Sequence, residues 1–176
     1  MNEEPIINSI REELIFKLEI QQYLPSFRTM KFSERDSFES WDISGYTNHE
    51  SYNVVYSTIG EIKVRNYSIK SYYNWKIEKH KYDFLTQTNF DRIYYINIYP
   101  DGFQVWNLKK LTEPIWREEV ERSNNYDDTT RIKSVGYLYD WDVCYRIEKQ
   151  IDIENYNKLS IEYYNTKINN KTNENN

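Results

Sequence analysis

Apolar residues recur at helical spacing over residues 6–24, through Ile7, Ile10, Leu14, Ile15, Leu18 and Tyr23. Pro5 suits the first turn of such a helix and Pro25 its end. Residues 26–40 are polar and mixed, with a short helix expected near 33–39. The pattern then changes period. Residues 41–47 alternate weakly, 48–51 are turn-like, and 52–65 form a long β-branched run, which together predict a hairpin. An approximate stripe of Tyr73, Ile77, Tyr82, Phe84 and Leu85 predicts a helix over 71–85. Residues 92–99 and 103–108 read as strands joined by Pro100-Asp101-Gly102, in which Pro fixes φ and Gly accepts a positive one. A short helix is expected over 114–122 and a loop over 123–128. Residues 132–138 and 143–147 are apolar segments, strand or helix.

These elements predict an α/β fold in one domain over residues 1–164. The Asn- and Lys-rich stretch 165–176 reads as a disordered polar tail. The 18 tyrosines favour strands and half-buried surfaces, although Asn, Ile and Lys are abundant too and the bias equally fits an AT-rich coding sequence. The single cysteine, Cys144, excludes an internal disulfide and a cysteine-based zinc site. It lies in an apolar segment and is expected in the core. The acidic first residues do not resemble a secretory leader, and no run is long and apolar enough for a membrane span. A cytoplasmic protein without a membrane partner is expected. The net charge of −5 gives no general attraction to nucleic acid, so any such contact needs a locally basic surface.

Candidate chemistry concentrates on Gly60-Glu61-Ile62-Lys63-Val64-Arg65. On a strand, Glu61, Lys63 and Arg65 share one face while Ile62 and Val64 point into a core. Alternate Cα atoms stand roughly 6–7 Å apart, so the Glu61 and Lys63 heads can meet at a small ion and a water. Asp42 begins the preceding strand, and a hairpin brings it beside Glu61. Two carboxylates on one face make the hard, oxygen-rich site that Mg2+ prefers, with Mn2+ as a substitute. Such an ion polarises a phosphoryl group, and Lys63 would orient the water or stabilise developing negative charge.

Asp42 followed by Glu61-Ile62-Lys63, then a helix and a strand pair, resembles the PD-(D/E)XK nucleases over roughly residues 34–108. Glu61-Ile62-Lys63 is the only acid-x-Lys triplet in the chain, and Trp41 stands where the motif has Pro. The resemblance implies a restriction-endonuclease-like mixed β-sheet flanked by helices and a metal-dependent nuclease acting on DNA. It implies Asp42, Glu61 and Lys63 as catalytic residues, and Asp42, Glu61 and the Ile62 carbonyl as metal ligands. The family tends to carry a further acid on its first helix; Glu13, Glu34 and Glu39 are the candidates here. Arg65, Lys76 and Lys81 are the expected nucleic-acid contacts, part of a basic rim with Lys79, Lys109, Lys110 and Arg92 or else scattered surface charge. A homodimer stays open. The alternative is a catalytically inactive member of that fold or a Tyr-rich protein-binding module.

Other chemistry is poorly provided for. His49 and His80 lack a neighbouring Ser or Cys nucleophile, so a hydrolase triad is not expected. No glycine precedes a Lys-Ser/Thr pair at phosphate-loop spacing. Asp140 and Asp142 read as solvated turn acids.

Overall fold

A computed structural model describes residues 3–33, 41–49, 52–121 and 131–174. The expected short helix near 33–39, with Glu34 and Glu39, and the loop over 123–128 lie outside them. The elements are α1 (Glu4–Ile15), α2 (Gln21–Tyr23), β1 (Lys31–Phe32), β2 (Ile43–His49), β3 (Tyr52–Val64), β4 (Asn74–Glu78), α3 (Lys79–Thr86), β5 (Arg92–Tyr99), β6 (Gly102–Asn107), β7 (Arg117–Glu121), β8 (Arg131–Tyr139), β9 (Tyr145–Glu148) and α4 (Ile153–Glu174). The fold is α/β, with a six-stranded mixed sheet ordered β1-β2-β3-β5-β6-β9 and a three-stranded sheet ordered β4-β8-β7.

The predicted first helix forms with an interruption. Pro5 sits in its first turn, where the missing N–H costs nothing. Between α1 and α2 the chain makes a π-turn over Phe16–Ile20. The wider turn lets Ile15, Phe16 and Ile20 all bury completely. Both predicted hairpins are present: β2 pairs antiparallel with β3, and β5 with β6. β3 and β5 run parallel, so the chain between them must cross over, and β4 and α3 lie in that connection.

Two apolar layers sandwich the large sheet. On one face Ile62, Ile96 and Ile98 meet Ile15, Phe16 and Ile20 of the N-terminal helix and Tyr156 of α4. On the other, Ile59, Ile93, Tyr95 and Tyr99 meet Trp75 and Ile77 of β4, Leu85 of α3 and Leu138 of β8. β5 is therefore apolar on both faces, as a central strand between two layers should be.

Three expectations are corrected. Residues 71–85 are not one helix: Asn74–Glu78 is a strand with Trp75 and Ile77 inward, and only Lys79–Thr86 is helical. The period-two burial of Trp75 and Ile77 against the large sheet outweighs the helical stripe. Residues 114–122 hold strand β7, not a helix; its Glu-rich sequence is tolerated because β7 is a charged edge strand paired only with β8. Cys144 is exposed rather than in the core, its thiol donating to the Val105 carbonyl at 3.0 Å. Helix α4 also continues through Glu174, into the segment read from sequence as a polar tail. Among the described residues, no helix is long and apolar enough to cross a membrane.

The turn at Gly102 carries a stability prediction. Its φ is +151°, and a Cβ there would lie 2.2 Å from the Ile147 carbonyl oxygen of β9. Gly102→Ala is expected to destabilise the protein by at least about 2 kcal/mol, because backbone must move on both sides of the β6–β9 pairing. Urea denaturation of the variant checks this.

Candidate active site

Asp42 lies immediately before β2, at the point where β2 stops pairing with β3 beyond Ile43 and Gly60. Its backbone N–H still donates to the Gly60 carbonyl at 2.9 Å. The next outward-facing donor on β3, the Ile62 N–H, is taken by the Asp42 carboxylate, whose Oδ2 accepts it at 2.6 Å. The Asp42 side chain thus replaces a ladder partner, which fixes its carboxylate against β3. In a strand the N–H and C=O of one residue point to the same side. The Ile62 carbonyl therefore also faces the gap where β2 has ended, on Asp42's side.

Glu61 and Lys63 project together onto the face covered by α3 and β4, as the strand period predicts. Glu61 is 1% exposed, and its Oε1 accepts ion pairs from Lys63 Nζ at 2.6 Å and Lys81 Nζ of α3 at 3.0 Å. A buried carboxylate costs several kcal/mol in desolvation unless cations stand beside it, and here two do. Its second oxygen, Oε2, is buried without a hydrogen-bond partner among the described residues.

Among the described residues, the first-helix acid that comes near Asp42, Glu61 and Lys63 is Glu12, not Glu13. Glu13 instead pairs with Lys17 one turn on, at 2.5 Å. Glu12 faces the site. Burial, then repulsion from Asp42, raises its pKa to about 7, with Lys63 and Arg11 opposing and Glu61 adding to the rise. Helical spacing offered a signal for this: Glu12 stands three residues before Ile15 and four before Phe16, on their side of the helix, and both of those are fully buried. Asp42 is raised to about 6, by burial first and by Glu61 second, against the lowering effect of the Ile62 N–H. Burial works to lower the Lys63 pKa, but Glu61, Asp42 and Glu12 together hold it well above the usual lysine value. Lys63 is therefore a permanent cation at neutral pH and serves as a donor, not a base.

Three carboxylates thus face two ammonium groups, and desolvation first and mutual repulsion second hold Glu12 and Asp42 above the ordinary carboxylate range. Among the described residues, no three His, Cys, Asp or Glu side chains already form a close-set metal-binding group. The donors nevertheless fit a hard divalent cation: they are all oxygen, and Glu61 Oε2 is a buried acceptor that meets no donor among the described residues. Glu12→Gln removes a half-buried repelling charge. It is expected to raise the melting temperature of the metal-free protein at pH 8 by several degrees, and calorimetry reads this directly.

The expected nucleic-acid contacts also come together. Arg65, Lys76 and Lys81 line one open cavity of about 550 Å3 with Lys63 and Lys133. Arg65 is held by donating Nε to Asn97 Oδ1 at 3.0 Å and Nη2 to the Tyr95 hydroxyl at 3.4 Å. Lys76 is ion-paired with Glu119, and Lys133 with Glu78 at 2.7 Å. Lys79, Lys109, Lys110 and Arg92 are not part of this wall: Lys79 pairs with Asp83 at 2.5 Å, and Arg92 lies over the Tyr56 ring. His80, 76% exposed at its side chain, lies 3.4 Å from Glu78, and the His49 side chain is outside the described set. Asp140 accepts from Arg146 and Gln104, an ion-paired surface acid as expected of a turn.

No family model matches the chain, and a search of curated proteins returns no match.

Proposed function

We propose that this protein is a metal-dependent nuclease with a restriction-endonuclease-like core, hydrolysing phosphodiester bonds in DNA. The observation that carries the reading is the convergence of Asp42, Glu61 and Lys63, with Glu12 from the first helix, at the end of a β-hairpin whose second strand runs parallel to β5. Asp42, Glu61 and the Ile62 carbonyl would hold Mg2+ or Mn2+, with Glu12 completing the acidic wall. When bound, the ion polarises the phosphoryl oxygens, acidifies water and offsets the charge of the transition state. Lys63 stays protonated, so its Nζ donates to the attacking water or to a phosphoryl oxygen and holds it in line. Lys81 anchors Glu61 Oε1 and keeps the carboxylate pointing into the site.

The ion pairs on Glu61 also favour a second reading, an inactive member of the same fold in which Lys63 and Lys81 serve only to neutralise a buried acid. The two readings separate on one assay. With supercoiled plasmid and linear DNA as substrates, the nuclease reading expects cleavage that requires Mg2+ or Mn2+, stops with EDTA and is lost in Lys63→Ala. Absence of metal-dependent cleavage by folded wild-type protein across both substrates contradicts it.

A further inference from the structure

The basic cavity does not end at Arg65 and Lys76. Those two residues also line a second cavity of about 680 Å3, continuous with the first, whose other walls are chemically different. Five tyrosines line it: Tyr67, Tyr72, Tyr73, Tyr137 and Tyr139, and Arg117 of β7 adds a further cation. Tyr72 and Tyr73 are 56% and 65% exposed, although burial of such rings is favourable. Tyr67 and Tyr72 meet edge to face with ring centroids 5.1 Å apart, which leaves ring faces for another partner. Among the described residues, Arg65 and Arg117 form no ion pair with a carboxylate.

We infer that this groove binds an unpaired polynucleotide strand, its phosphates following Lys63, Arg65, Lys76 and Arg117 and its bases stacking on the tyrosines of the β4–β8–β7 side. Cations that track a backbone beside aromatic faces are what single-stranded nucleic acid requires. A duplex hides its base faces and cannot use the rings. Charge supports the assignment: Lys63, Arg65, Lys76, Lys81, Lys133 and Arg117 outnumber the two acids of the walls, Glu78 and Glu119, on a chain whose net charge is −5. The inference rests on the nuclease reading for its direction, since the groove starts at Lys63, and it narrows that reading to substrates with a single-stranded segment.

Binding measured in EDTA separates it from catalysis. Fluorescence anisotropy with labelled dT15, rU15 and a 15-base-pair DNA duplex is expected to show at least one single strand bound about tenfold or more tighter than the duplex. The double variant Tyr72→Ala/Tyr73→Ala should weaken strand binding by about tenfold or more while leaving its melting temperature unchanged. Tyr72→Phe/Tyr73→Phe, which keeps both rings, should bind like wild type. Duplex binding equal to or tighter than both strands, or undiminished strand binding in the double alanine variant, overturns the groove. Cleavage of DNA with tyrosine-independent binding leaves the nuclease standing and removes the groove. Tyrosine-dependent strand binding with no metal-dependent cleavage does the reverse.

Discussion

Glu61→Gln is expected to abolish Mg2+-dependent DNA cleavage, by about a thousandfold or more, while the protein remains folded. The glutamine keeps the size and shape of the side chain, so Ile59 and Ile62 on either side stay packed. What disappears is the charge on which Lys63 and Lys81 converge and a buried carboxylate oxygen that meets no donor among the described residues. In the proposed site a divalent ion would lose one of its two carboxylate ligands, and Lys63 loses the charge that fixes its Nζ. Electrostatic groups aimed at a phosphoryl centre typically contribute several kcal/mol each, and where such groups act as a unit the loss of one costs nearly as much as the loss of all. Initial cleavage rates and far-UV circular dichroism on the same preparation check both halves. Full activity in Glu61→Gln removes this residue from the mechanism.

A comparably large effect is expected from pH and metal together. Glu12 and Asp42 titrate near 7 and near 6, each above the ordinary carboxylate range, chiefly because both are buried. Between the ordinary range and these values the native state holds more protons than the unfolded chain. Metal-free stability from this cluster should therefore be highest below about pH 4, where both groups are protonated in either state, and should fall as pH rises through about 7, by an amount on the order of a few kcal/mol. A divalent cation reverses the trend, because it replaces the lost protons. Mg2+ at 10 mM is expected to raise the melting temperature by several degrees at pH 8 and by much less at pH 5.5. Asp42→Asn should flatten both dependences, since the amide oxygen still accepts from the Ile62 N–H while the charge is gone. Melting curves over that pH range, with and without Mg2+, check the sign.

The site was legible in sequence to the extent that strand geometry fixes it. An acid and a lysine two residues apart in a β-branched run must share a face, and an Asp at the start of the preceding strand must return beside them if the two strands pair. Glu12 was less legible, because a helix offers several acids and only its rotation relative to the sheet selects one. Glu13 is adjacent in sequence, yet it turns to Lys17. Lys81 was read as a nucleic-acid contact, and its ion pair to Glu61 depended on where α3 begins. The start of α3 is hard to place from sequence because Asn74–Glu78 carries a single lysine, Lys76, between its two buried residues, a pattern compatible with either period. The three-stranded sheet, and with it the tyrosine groove, followed from long-range pairing of β4 with β8 and β8 with β7, which no local pattern encodes. The hairpins, in contrast, carry their own turn chemistry and were found at nearly their observed bounds.

Isothermal titration of Mn2+ into the wild-type protein and into Asp42→Asn/Glu61→Gln at pH 8 tests the centre of this account most directly. Saturable binding in the wild type, lost in a folded double variant, is the predicted result. Wild-type protein that takes up no Mn2+ at millimolar concentration, or a double variant that binds as the wild type does, would contradict it.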